Sequence, residues 1–325
     1  MENGNYNFEK NTRFLVTGGA GFIGSNIAEK LLSMGLEVII LDNFSTGKKE
    51  NIDHLLSNPK LELIEGDIRN LDDCNKACRN IDFVLHNAAL GSVPRSISDP
   101  RTTNDVNITG TLNMLIASRD NKVKRFVYAS SSSVYGDSGS LPKMEETIGS
   151  PLSPYAITKV VNELYGKIFH DYFNLPTIGL RYFNVFGKNQ DCNSQYAAVI
   201  PNFIRKVILG EQPIIYGNGS QTRDFTFVDN VVDANLRACL AREESTGNVF
   251  NIAVGNRVSL IDLLNKICSV IEINVSPIFK EWRAGDVMHS YASIEKARTL
   301  LNYNPIYDFN TGLKKTIDWY TKKLS

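Results

Sequence analysis

The chain has 325 residues, of which 42% are hydrophobic, and its 35 basic and 35 acidic side chains give a formal net charge of zero. This length allows one large α/β domain with a smaller lobe, and the balanced charge argues against a nucleic-acid partner or an acidic membrane surface. No apolar run approaches a membrane span, and the polar N-terminal stretch lacks the hydrophobic segment of a signal peptide. We therefore expect a cytoplasmic protein with no membrane partner.

The cysteines form an odd and scattered set, which favours reduced thiols. Only Cys74 and Cys78 lie close together in the sequence, and the four histidines are scattered. Because no second cysteine pair has the spacing of metal ligands, we interpret these two as packing residues and expect no metal site. The remaining cysteines are Cys192, Cys239 and Cys268.

Strand and helix patterns alternate along the first half of the chain. This alternation predicts an α/β fold with a Rossmann-like, doubly wound parallel sheet, and ligands bind such sheets beyond the carboxyl ends of the strands. The alternation weakens after Phe186, which predicts a smaller, partly helical C-terminal substrate lobe. The predicted strands are Arg13–Thr17, Glu37–Leu41, Leu61–Ile64, Phe83–His86, Arg125–Ser130, Thr177–Arg181 and Asn248–Val254, and the predicted helices lie near Ile23–Met34, Asp72–Arg79, Thr103–Arg119 and Pro154–Phe173.

A glycine-rich turn joins the first predicted strand to the first predicted helix. Its Gly19-x-Gly21-x-x-Gly24 spacing, widened by Gly18, has the context of a dinucleotide-binding turn. Glycine allows a tight turn and a close approach to a pyrophosphate, and the helix N-terminus offers free N–H groups to the phosphates. The alternative is an ordinary glycine-rich turn, but the strand, the helix and a later acidic residue agree with the cofactor interpretation.

That acidic residue is Asp42, which lies directly after an apolar strand. A carboxylate at this position accepts hydrogen bonds from the ribose hydroxyls of NAD and repels the 2′-phosphate of NADP. Lys48 and Lys49 follow closely and would soften that repulsion, yet the position favours NAD. The alternative is that Asp42 only begins the turn-rich segment that follows it.

Tyr155 and Lys159 lie four residues apart on a predicted helix, which places their Cβ atoms roughly 5–6 Å apart on one face. An unperturbed tyrosine has a pKa of about 10, and a nearby ammonium favours its phenolate, which is a base. The hydroxyl of Ser131, at the end of another predicted strand, would hold a substrate oxygen against Tyr155. The alternative is that Tyr155 and Lys159 are two surface residues without a function, which would be the more common case in a sequence that lacked the glycine turn.

Together these motifs resemble an extended short-chain dehydrogenase/reductase of the nucleotide-sugar epimerase type. The resemblance extends over nearly the full chain. It rests on Thr17–Gly24, Leu41–Asn43, Gly66–Ile68, Asn87–Ala89, Ser130–Gly136, Tyr155–Lys159 and Arg181–Gly187.

The resemblance implies that the cofactor is NAD, that Tyr155 is the catalytic base with Ser131 as its partner, and that Lys159 binds the nicotinamide ribose. Gly18, Gly21 and Gly24 would contact the pyrophosphate, and Asp42 the adenosine ribose. The cofactor-binding residues implied in this way are Gly18, Gly21, Phe22, Ile23, Gly24, Asp42, Asn43, Asp67, Ile68, Ala88, Ala89, Asn107, Ser130, Tyr155, Lys159 and Tyr182.

The resemblance also implies a UDP-sugar pocket. In it, Asn184, Arg223 and Arg283 would bind the diphosphate, because each guanidinium offers a fixed fork of donors. Asp286 would hold the uridine ribose. The substrate-binding residues implied in this way are Ser92, Ser131, Ser132, Tyr155, Asn184, Val199, Tyr216, Arg223, Arg283, Asp286 and Ser290.

Two positions in the sequence reduce the number of reactions and substrates that fit this family resemblance. Dehydratases of this group carry Asp-Glu where this chain has Ser132-Ser133, which argues against dehydration and leaves 4-epimerisation. Galactose-type epimerases carry a bulky tyrosine where this chain has Ser290, and a small side chain leaves room for an N-acetyl group. We therefore expect interconversion of UDP-N-acetylglucosamine and UDP-N-acetylgalactosamine, as in the epimerases of surface-polysaccharide pathways that the Gly91–Ser96 segment resembles.

Three alternatives stay open at this point. Two of them are other substrates, UDP-N-acetylglucosaminuronate and UDP-glucose, and the third is an NAD(P)-binding sensor or scaffold without activity. The resemblance further implies a homodimer that pairs the helices near Thr103–Arg119 and Pro154–Phe173. We expect residues 1–185, with a returning segment at about 224–256, to form the NAD-binding domain, and residues 186–223 and 257–325 to form the substrate lobe.

Overall fold

The structure is a computed structural model that describes residues 6–193, 197–282 and 288–324. Within these ranges the helices are α1 (Phe22–Ser33), α2 (Leu71–Ala77), α3 (Val93–Ser98), α4 (Pro100–Asn104), α5 (Gly110–Asp120), α6 (Pro154–Phe173), α7 (Val199–Ile208), α8 (Val228–Leu240), α9 (Leu260–Ile271), α10 (Glu295–Leu301) and α11 (Phe309–Leu324). The strands are β1 (Arg13–Thr17), β2 (Glu37–Asp42), β3 (Leu61–Glu65), β4 (Phe83–His86), β5 (Arg125–Ser131), β6 (Thr177–Tyr182), β7 (Val185–Phe186), β8 (Ile214–Tyr216), β9 (Thr222–Arg223), β10 (Thr226–Phe227), β11 (Asn248–Ile252), β12 (Val258–Ser259), β13 (Ile278–Lys280) and β14 (His289–Ser290).

A seven-stranded sheet forms the centre of the molecule, in the order β11-β6-β5-β4-β1-β2-β3. Every neighbouring pair of these strands runs parallel. The chain leaves β1 towards one edge, through β2 and β3, and then returns to β4 on the other side of β1. The predicted Rossmann-like doubly wound fold is confirmed, and its switch point, where ligands bind in such sheets, lies between β1 and β4.

Alternation along the strands divides the core between the two faces of the sheet, because successive side chains of a strand point to opposite faces. Phe14 and Val16 are buried in a cluster that includes side chains of α1 and α8. Leu15, from the same strand, is buried in a second cluster with Met114 of α5 and Phe169 of α6. Helices therefore cover both faces and leave the strand ends for a ligand.

The helix predicted near Thr103–Arg119 is interrupted in the structure. α4 ends at Asn104, a π-helical turn covers Asp105–Thr109, and α5 begins at Gly110. π-bulges of this kind are frequent at functional sites. A Cβ atom at Gly110 would lie 2.5 Å from the Ile68 side chain, so the helix needs glycine where it crosses the end of β3.

A third hydrophobic cluster fills the lobe beyond the sheet. It contains Phe186, Phe203 of α7, Leu263 of α9 and Leu313 of α11, and short paired strands lie beside it. The division into residues 1–185, 186–223, about 224–256 and 257–325 stays a prediction. None of the helices within the described ranges is both long and apolar enough to cross a membrane.

Candidate active site

A crevice of about 460 Å³ opens beyond the carboxyl ends of β1, β2, β4 and β5. The structure brings most of the predicted cofactor residues to its walls, although they come from distant parts of the sequence. Its predicted residues are Gly18, Gly21, Phe22, Ile23, Gly24, Asp42, Asn43, Asp67, Ile68, Ala88, Ala89, Ser130, Ser131, Tyr155, Lys159, Tyr182 and Asn184.

The backbone of the glycine turn is packed so closely that side chains at Gly18 and Gly24 would not fit. The absence of these side chains leaves room for a pyrophosphate beside the turn. Gly18 has a φ of +65°, and a Cβ atom there would lie 2.8 Å from the backbone nitrogen of Ala88. A Cβ atom at Gly24 would lie 2.2 Å from the carbonyl oxygen of Gly18. The N-terminus of α1 therefore faces the crevice without obstruction, which fits a dinucleotide cofactor.

Asp42 stands at the far wall of the crevice, where backbone amides hold its carboxylate. Its Oδ2 accepts from Ala20 N at 2.9 Å and its Oδ1 accepts from Phe44 N at 2.8 Å. Burial raises the pKa of Asp42, and these two amides oppose the rise. The carboxylate thus closes a turn and also lines the crevice, so the structure combines the two readings of this residue.

Asn43 and Asp67 form the neighbouring part of this wall. Asn43 Nδ2 donates to Asp67 Oδ2 at 2.9 Å, and Arg69 pairs with the same carboxylate at 2.6 Å. The hydrogen bond from Arg69 lowers the pKa of Asp67 to about 2. Asp67 is therefore a fixed anion at the end of β3, beside Ile68.

Ser131, Tyr155 and Lys159 meet at the inner end of the crevice. Ser153 caps the N-terminus of α6, because its Oγ accepts from Ala156 N at 3.1 Å. Pro154 and Tyr155 therefore lie in the first turn of this helix. The Lys159 ammonium lies 5.9 Å from the centre of the Tyr155 ring. The predicted constellation is therefore assembled from α6 and the end of β5.

The hydrogen bonds of Ser131 and Lys159 indicate which groups donate and which accept protons around Tyr155. Ser131 Oγ accepts from Ser133 N at 3.1 Å, which leaves its own proton available to Tyr155. Burial raises the pKa of Tyr155, and the hydrogen bond with Ser131 opposes that rise. Lys159 Nζ donates to Ala129 O at 2.7 Å, and burial lowers the pKa of Lys159 to about 8. Ser131 is therefore the neighbour that favours a phenolate at Tyr155, against the effect of burial.

A buried histidine lies beneath the reacting end of the crevice. Thr111 Oγ1 donates to Asn107 O at 2.7 Å, so His86 Nε2 must donate to Thr111 Oγ1 across their 3.0 Å contact. Thr17 Oγ1 then donates to His86 Nδ1 at 2.7 Å. Burial and the charge of Lys159 lower the pKa of His86 to about 3, which keeps the ring neutral. Sequence reasoning missed this residue because the strand Phe83–His86 showed only an apolar pattern.

Asn107 lies behind the crevice wall rather than on it. Its Oδ1 accepts from Leu90 N at 2.8 Å, and its Nδ2 donates to Thr158 Oγ1 at 3.1 Å. The side chain is fully buried. These contacts tie the loop after β4 to helix α6, so the residue supports the crevice through its neighbours.

Of the predicted substrate residues within the described ranges, Ser131, Tyr155 and Asn184 line the crevice, whereas Ser92, Ser132, Val199, Tyr216, Arg223 and Ser290 do not. Asn184 lines the crevice and donates to Asp224 O at 3.0 Å. Arg223 of β9 is paired in register with Ser290 of β14, so these two positions lie side by side. Tyr216 ends β8, Val199 begins α7, Ser92 caps the N-terminus of α3, and Ser132 begins the turn after β5. Arg283 and Asp286 lie outside the described residues.

Two loops that sequence reasoning did not combine close the outer mouth of the crevice. Lys48 Nζ lies 3.2 Å from Asp191 Oδ1, and both residues line the crevice. The sequence after Asp42 indicated a loop, because it is rich in turn residues. The sequence around Asn189 and Gln190 gave no indication of a site, since only the fold brings these residues close to α1.

The cysteines Cys74 and Cys78 are buried in the core between the sheet and its helices. Burial raises the pKa of both thiols to about 12. Among the described residues, no group of three His, Cys, Asp or Glu side chains has an arrangement suited to a metal ion.

Comparison with known proteins agrees with this geometry. The sequence profile of the NAD dependent epimerase/dehydratase family matches residues 14–253. A putative UDP-glucose 4-epimerase of Methanocaldococcus jannaschii is 39% identical over 307 residues, which cover 94% of this chain and 97% of that protein.

Two solved structures are also similar over nearly the whole chain. The UDP-N-acetylglucosamine 4-epimerase from Methanobrevibacter ruminantium, in complex with UDP-N-acetylmuramic acid, has a TM-score of 0.92 and 38% identity, covering 97% of this chain and 100% of that one. The UDP-glucuronic acid 4-epimerase from Bacillus cereus, in complex with UDP-glucuronic acid and NAD, has a TM-score of 0.89 and 32% identity with the same coverage. The chain therefore belongs to the NAD dependent epimerase/dehydratase family, within the extended short-chain dehydrogenases/reductases, and its cofactor is NAD.

Proposed function

We propose that the protein is an NAD-dependent 4-epimerase of a UDP-hexose, and that its substrate is UDP-N-acetylglucosamine. The observation that carries the reaction class is the meeting of Ser131, Tyr155 and Lys159 at the inner end of a crevice that starts at the glycine turn. The names of its relatives support a UDP-sugar as substrate.

The side chains present suit a reversible oxidation at C4. NAD, which the glycine turn and Asp42 would hold, would supply reversible hydride transfer at C4, and the product would be the epimer because the hydride would come back to the opposite face of the sugar. Tyr155, as a phenolate, removes the proton of the C4 hydroxyl while that carbon becomes a ketone, and it gives the same proton back. Ser131 holds the C4 oxygen in place, and the charge of Lys159 stabilises the phenolate. The 4-keto sugar turns between the two steps while its diphosphate stays bound.

The choice of an acetylated sugar rests on Ser290. Ser290 is paired in register with Arg223, which we propose binds the diphosphate, and we infer that its small side chain lies near the C2 substituent of the bound sugar. A serine leaves space for the N-acetyl group at C2, whereas a bulky residue in a filled pocket costs roughly 1–3 kcal/mol. UDP-glucose and the uronic acid form are the competing substrates, since relatives named for UDP-glucose and UDP-glucuronate are comparably similar.

Proton NMR of the purified protein with catalytic NAD tests this proposal. UDP-N-acetylglucosamine, UDP-glucose and UDP-N-acetylglucosaminuronate are supplied in separate reactions. A new anomeric signal from the galacto epimer of UDP-N-acetylglucosamine is the expected result. Conversion of another sugar alone would keep the reaction and reject the substrate, and conversion of none would reject the enzyme assignment in favour of a sensor or scaffold.

Replacing Ser290 with tyrosine tests the size argument. The tyrosine should lower kcat/KM for UDP-N-acetylglucosamine by about fivefold or more, as expected for roughly 1–3 kcal/mol of overpacking, and spare UDP-glucose. Ser290→Ala, which is also small, is the matched control and should keep both activities. Equal losses on both substrates in the tyrosine variant would reject this explanation.

We further propose a homodimer formed through α6. Along this helix Ile157, Leu164, Ile168 and Tyr172 are exposed, and their spacing places them on one stripe. Leu164 is 62% exposed and Tyr172 is 75% exposed, which is costly for a stripe of this size in water. A second copy of the same stripe is a suitable cover, because paired helices across a two-fold axis present identical apolar surfaces.

A further inference from the structure

Glu163 is a buried carboxylate on the catalytic helix with no part in the chemistry described above. It lies four residues after Lys159 on α6, so the two side chains share one face with Cβ atoms roughly 5–6 Å apart. Its side chain is 10% exposed. The position places a negative charge one turn behind the lysine that faces the crevice.

Three elements meet at the Glu163 carboxylate. Ser130 Oγ, beside the catalytic Ser131 on β5, donates to Glu163 Oε1 at 2.5 Å. Arg181, at the end of β6, donates from Nε to Oε1 and from Nη2 to Oε2, both at 2.8 Å. The Arg181 side chain is 3% exposed, so this bidentate pair is buried. The contact therefore joins the catalytic helix to the ends of two central strands.

Arg181 is itself held in place by other groups. Its Nη1 donates to Tyr135 OH at 2.9 Å and to Glu145 O at 3.0 Å. Tyr135 OH then donates to Asn251 Oδ1 at 2.6 Å. Because both partners of the ion pair are anchored, the Glu163 carboxylate has one fixed position relative to Lys159.

The charges around Lys159 make this carboxylate electrostatically important. Burial lowers the pKa of Lys159, and the charge of Glu163 opposes that fall. His86 on β4 is neutral, since burial lowers its pKa to about 3. Tyr128 on β5 is fully buried, and burial raises its pKa far above neutrality, so it is neutral too. The ring of Tyr155 also lies near Lys159, and burial keeps this group neutral until it takes the phenolate form. Of the described groups, Glu163 therefore supplies the permanent negative charge near Lys159, and Arg181, which pairs with Glu163, reduces its effect.

We propose that Glu163 is a positioning residue that keeps Lys159 charged at working pH, and that Arg181 sets the strength of this effect. The proposal rests on the proposed function, because the charge of Lys159 matters through the phenolate of Tyr155. Glu163 acts through Lys159 and does not touch the substrate. The ion pair thus links catalysis to the packing of β5, β6 and α6.

The first experiment records kcat/KM against pH for the wild type and Glu163→Gln. Glutamine keeps the shape of the side chain and removes its charge. The basic limb, on which activity falls as Lys159 loses its proton, should move down by about one pH unit. A limb with an unmoved midpoint and a uniformly lower activity would indicate a purely structural role and overturn the proposal.

The double variant Glu163→Gln with Arg181→Gln separates the loss of the Glu163 charge from the effect of leaving Arg181 buried without a partner. The single variant leaves the Arg181 cation buried without its partner, which further disfavours a charged Lys159 and destabilises the fold. Removing both charges should place the basic limb between those of the wild type and the single variant. Should the single variant fail to fold, a double-variant limb below that of the wild type would still support the proposal. A double-variant limb at or above that of the wild type would overturn it.

A measurement without turnover keeps this proposal separate from the proposed function. Carbon-13 NMR of ε-labelled lysines follows the titration of Lys159 in the NAD-loaded protein, and Lys159→Arg assigns its signal. The expected order of midpoints is wild type, double variant and then Glu163→Gln. The same midpoint in all three would overturn the proposal even if the protein is an epimerase, and the expected order would support it even if no tested sugar is converted.

Discussion

Tyr155 shows how one side chain draws its chemistry from several neighbours. Burial raises the pKa of Tyr155, which by itself would keep its hydroxyl protonated and unable to accept a proton. Ser131 has its oxygen occupied by Ser133 N and directs its proton to Tyr155, and Lys159 lies 5.9 Å from the ring. These two neighbours favour the phenolate, so the reactivity of the residue belongs to the group rather than to tyrosine alone.

Replacing Tyr155 with phenylalanine should separate catalysis from cofactor binding. The variant keeps the ring but loses the group that carries the proton, so kcat should fall by about 10²–10⁴. NAD content, measured by absorbance after denaturation, should stay at the wild-type level. Tyr165→Phe, on the same helix and outside the crevice, is the matched control and should keep full activity. Unchanged turnover in Tyr155→Phe would contradict the catalytic role.

The turn between β1 and α1 shows why an element needs particular residues. Gly18 and Gly24 approach each other and the loop after β4 so closely that backbone atoms occupy the space of a side chain. Backbone contacts of this kind cannot be relieved by turning a rotamer. The glycines therefore fix the direction in which the N-terminus of α1 points, and this direction is what a pyrophosphate requires.

Replacing Gly24 with alanine should weaken NAD binding. The added Cβ would lie 2.2 Å from the carbonyl oxygen of Gly18 and would push the turn away from α1. Overpacking of this kind costs roughly 1–3 kcal/mol, so the dissociation constant of NAD should rise by about fivefold or more. Isothermal titration of the cofactor-free protein measures the change.

The matched control for that variant is Gly35→Ala. Gly35 has a φ of +74°, so alanine is strained there and lowers stability, although the added Cβ would come no closer to a neighbour than 3.9 Å, at Lys60 Nζ. Gly35 lies outside the crevice, and the control should therefore keep the NAD affinity of the wild type. Equal weakening in both variants would mean that general instability, rather than the shape of the turn, controls cofactor binding.

At the scale of the whole molecule, the exposed stripe on α6 lies on the helix that also carries Tyr155 and Lys159. A dimer through this stripe would cover the outer face of the helix whose inner face lines the crevice. The association of two copies would then hold α6 against the sheet. Assembly and activity should consequently be connected in this protein.

Replacing Leu164 with glutamate should prevent dimer formation, because it places two like charges in an apolar interface. Light scattering after gel filtration should give twice the chain mass for the wild type and a single chain mass for the variant. Leu209→Glu changes another exposed leucine, on the lobe, and should leave the dimer intact. A monomeric wild type would reject the dimer.

Sequence reasoning predicted the elements better than their details. The seven strands of the central sheet all lie where apolar runs predicted them, with ends that differ by one or two residues. α6 begins and ends as predicted, because Ser153 caps its start and Asn174, with a φ of 52°, ends it. The helix near Thr103–Arg119 differs, because its π-helical turn depends on contacts of Asn107 with distant residues that a periodic pattern does not reveal.

The succession of strands and helices, the glycine turn and the residue types at Ser131, Tyr155 and Lys159 follow from the amino-acid sequence alone. These are local properties, since periodicity, glycine spacing and a four-residue helical interval act between near neighbours. The neutral state of His86 near Lys159 and the contact of Arg181 with Glu163 follow instead from the folded molecule. Such contacts join residues far apart in the chain, and their energies depend on burial that exists only once the sheet and its helices have packed together.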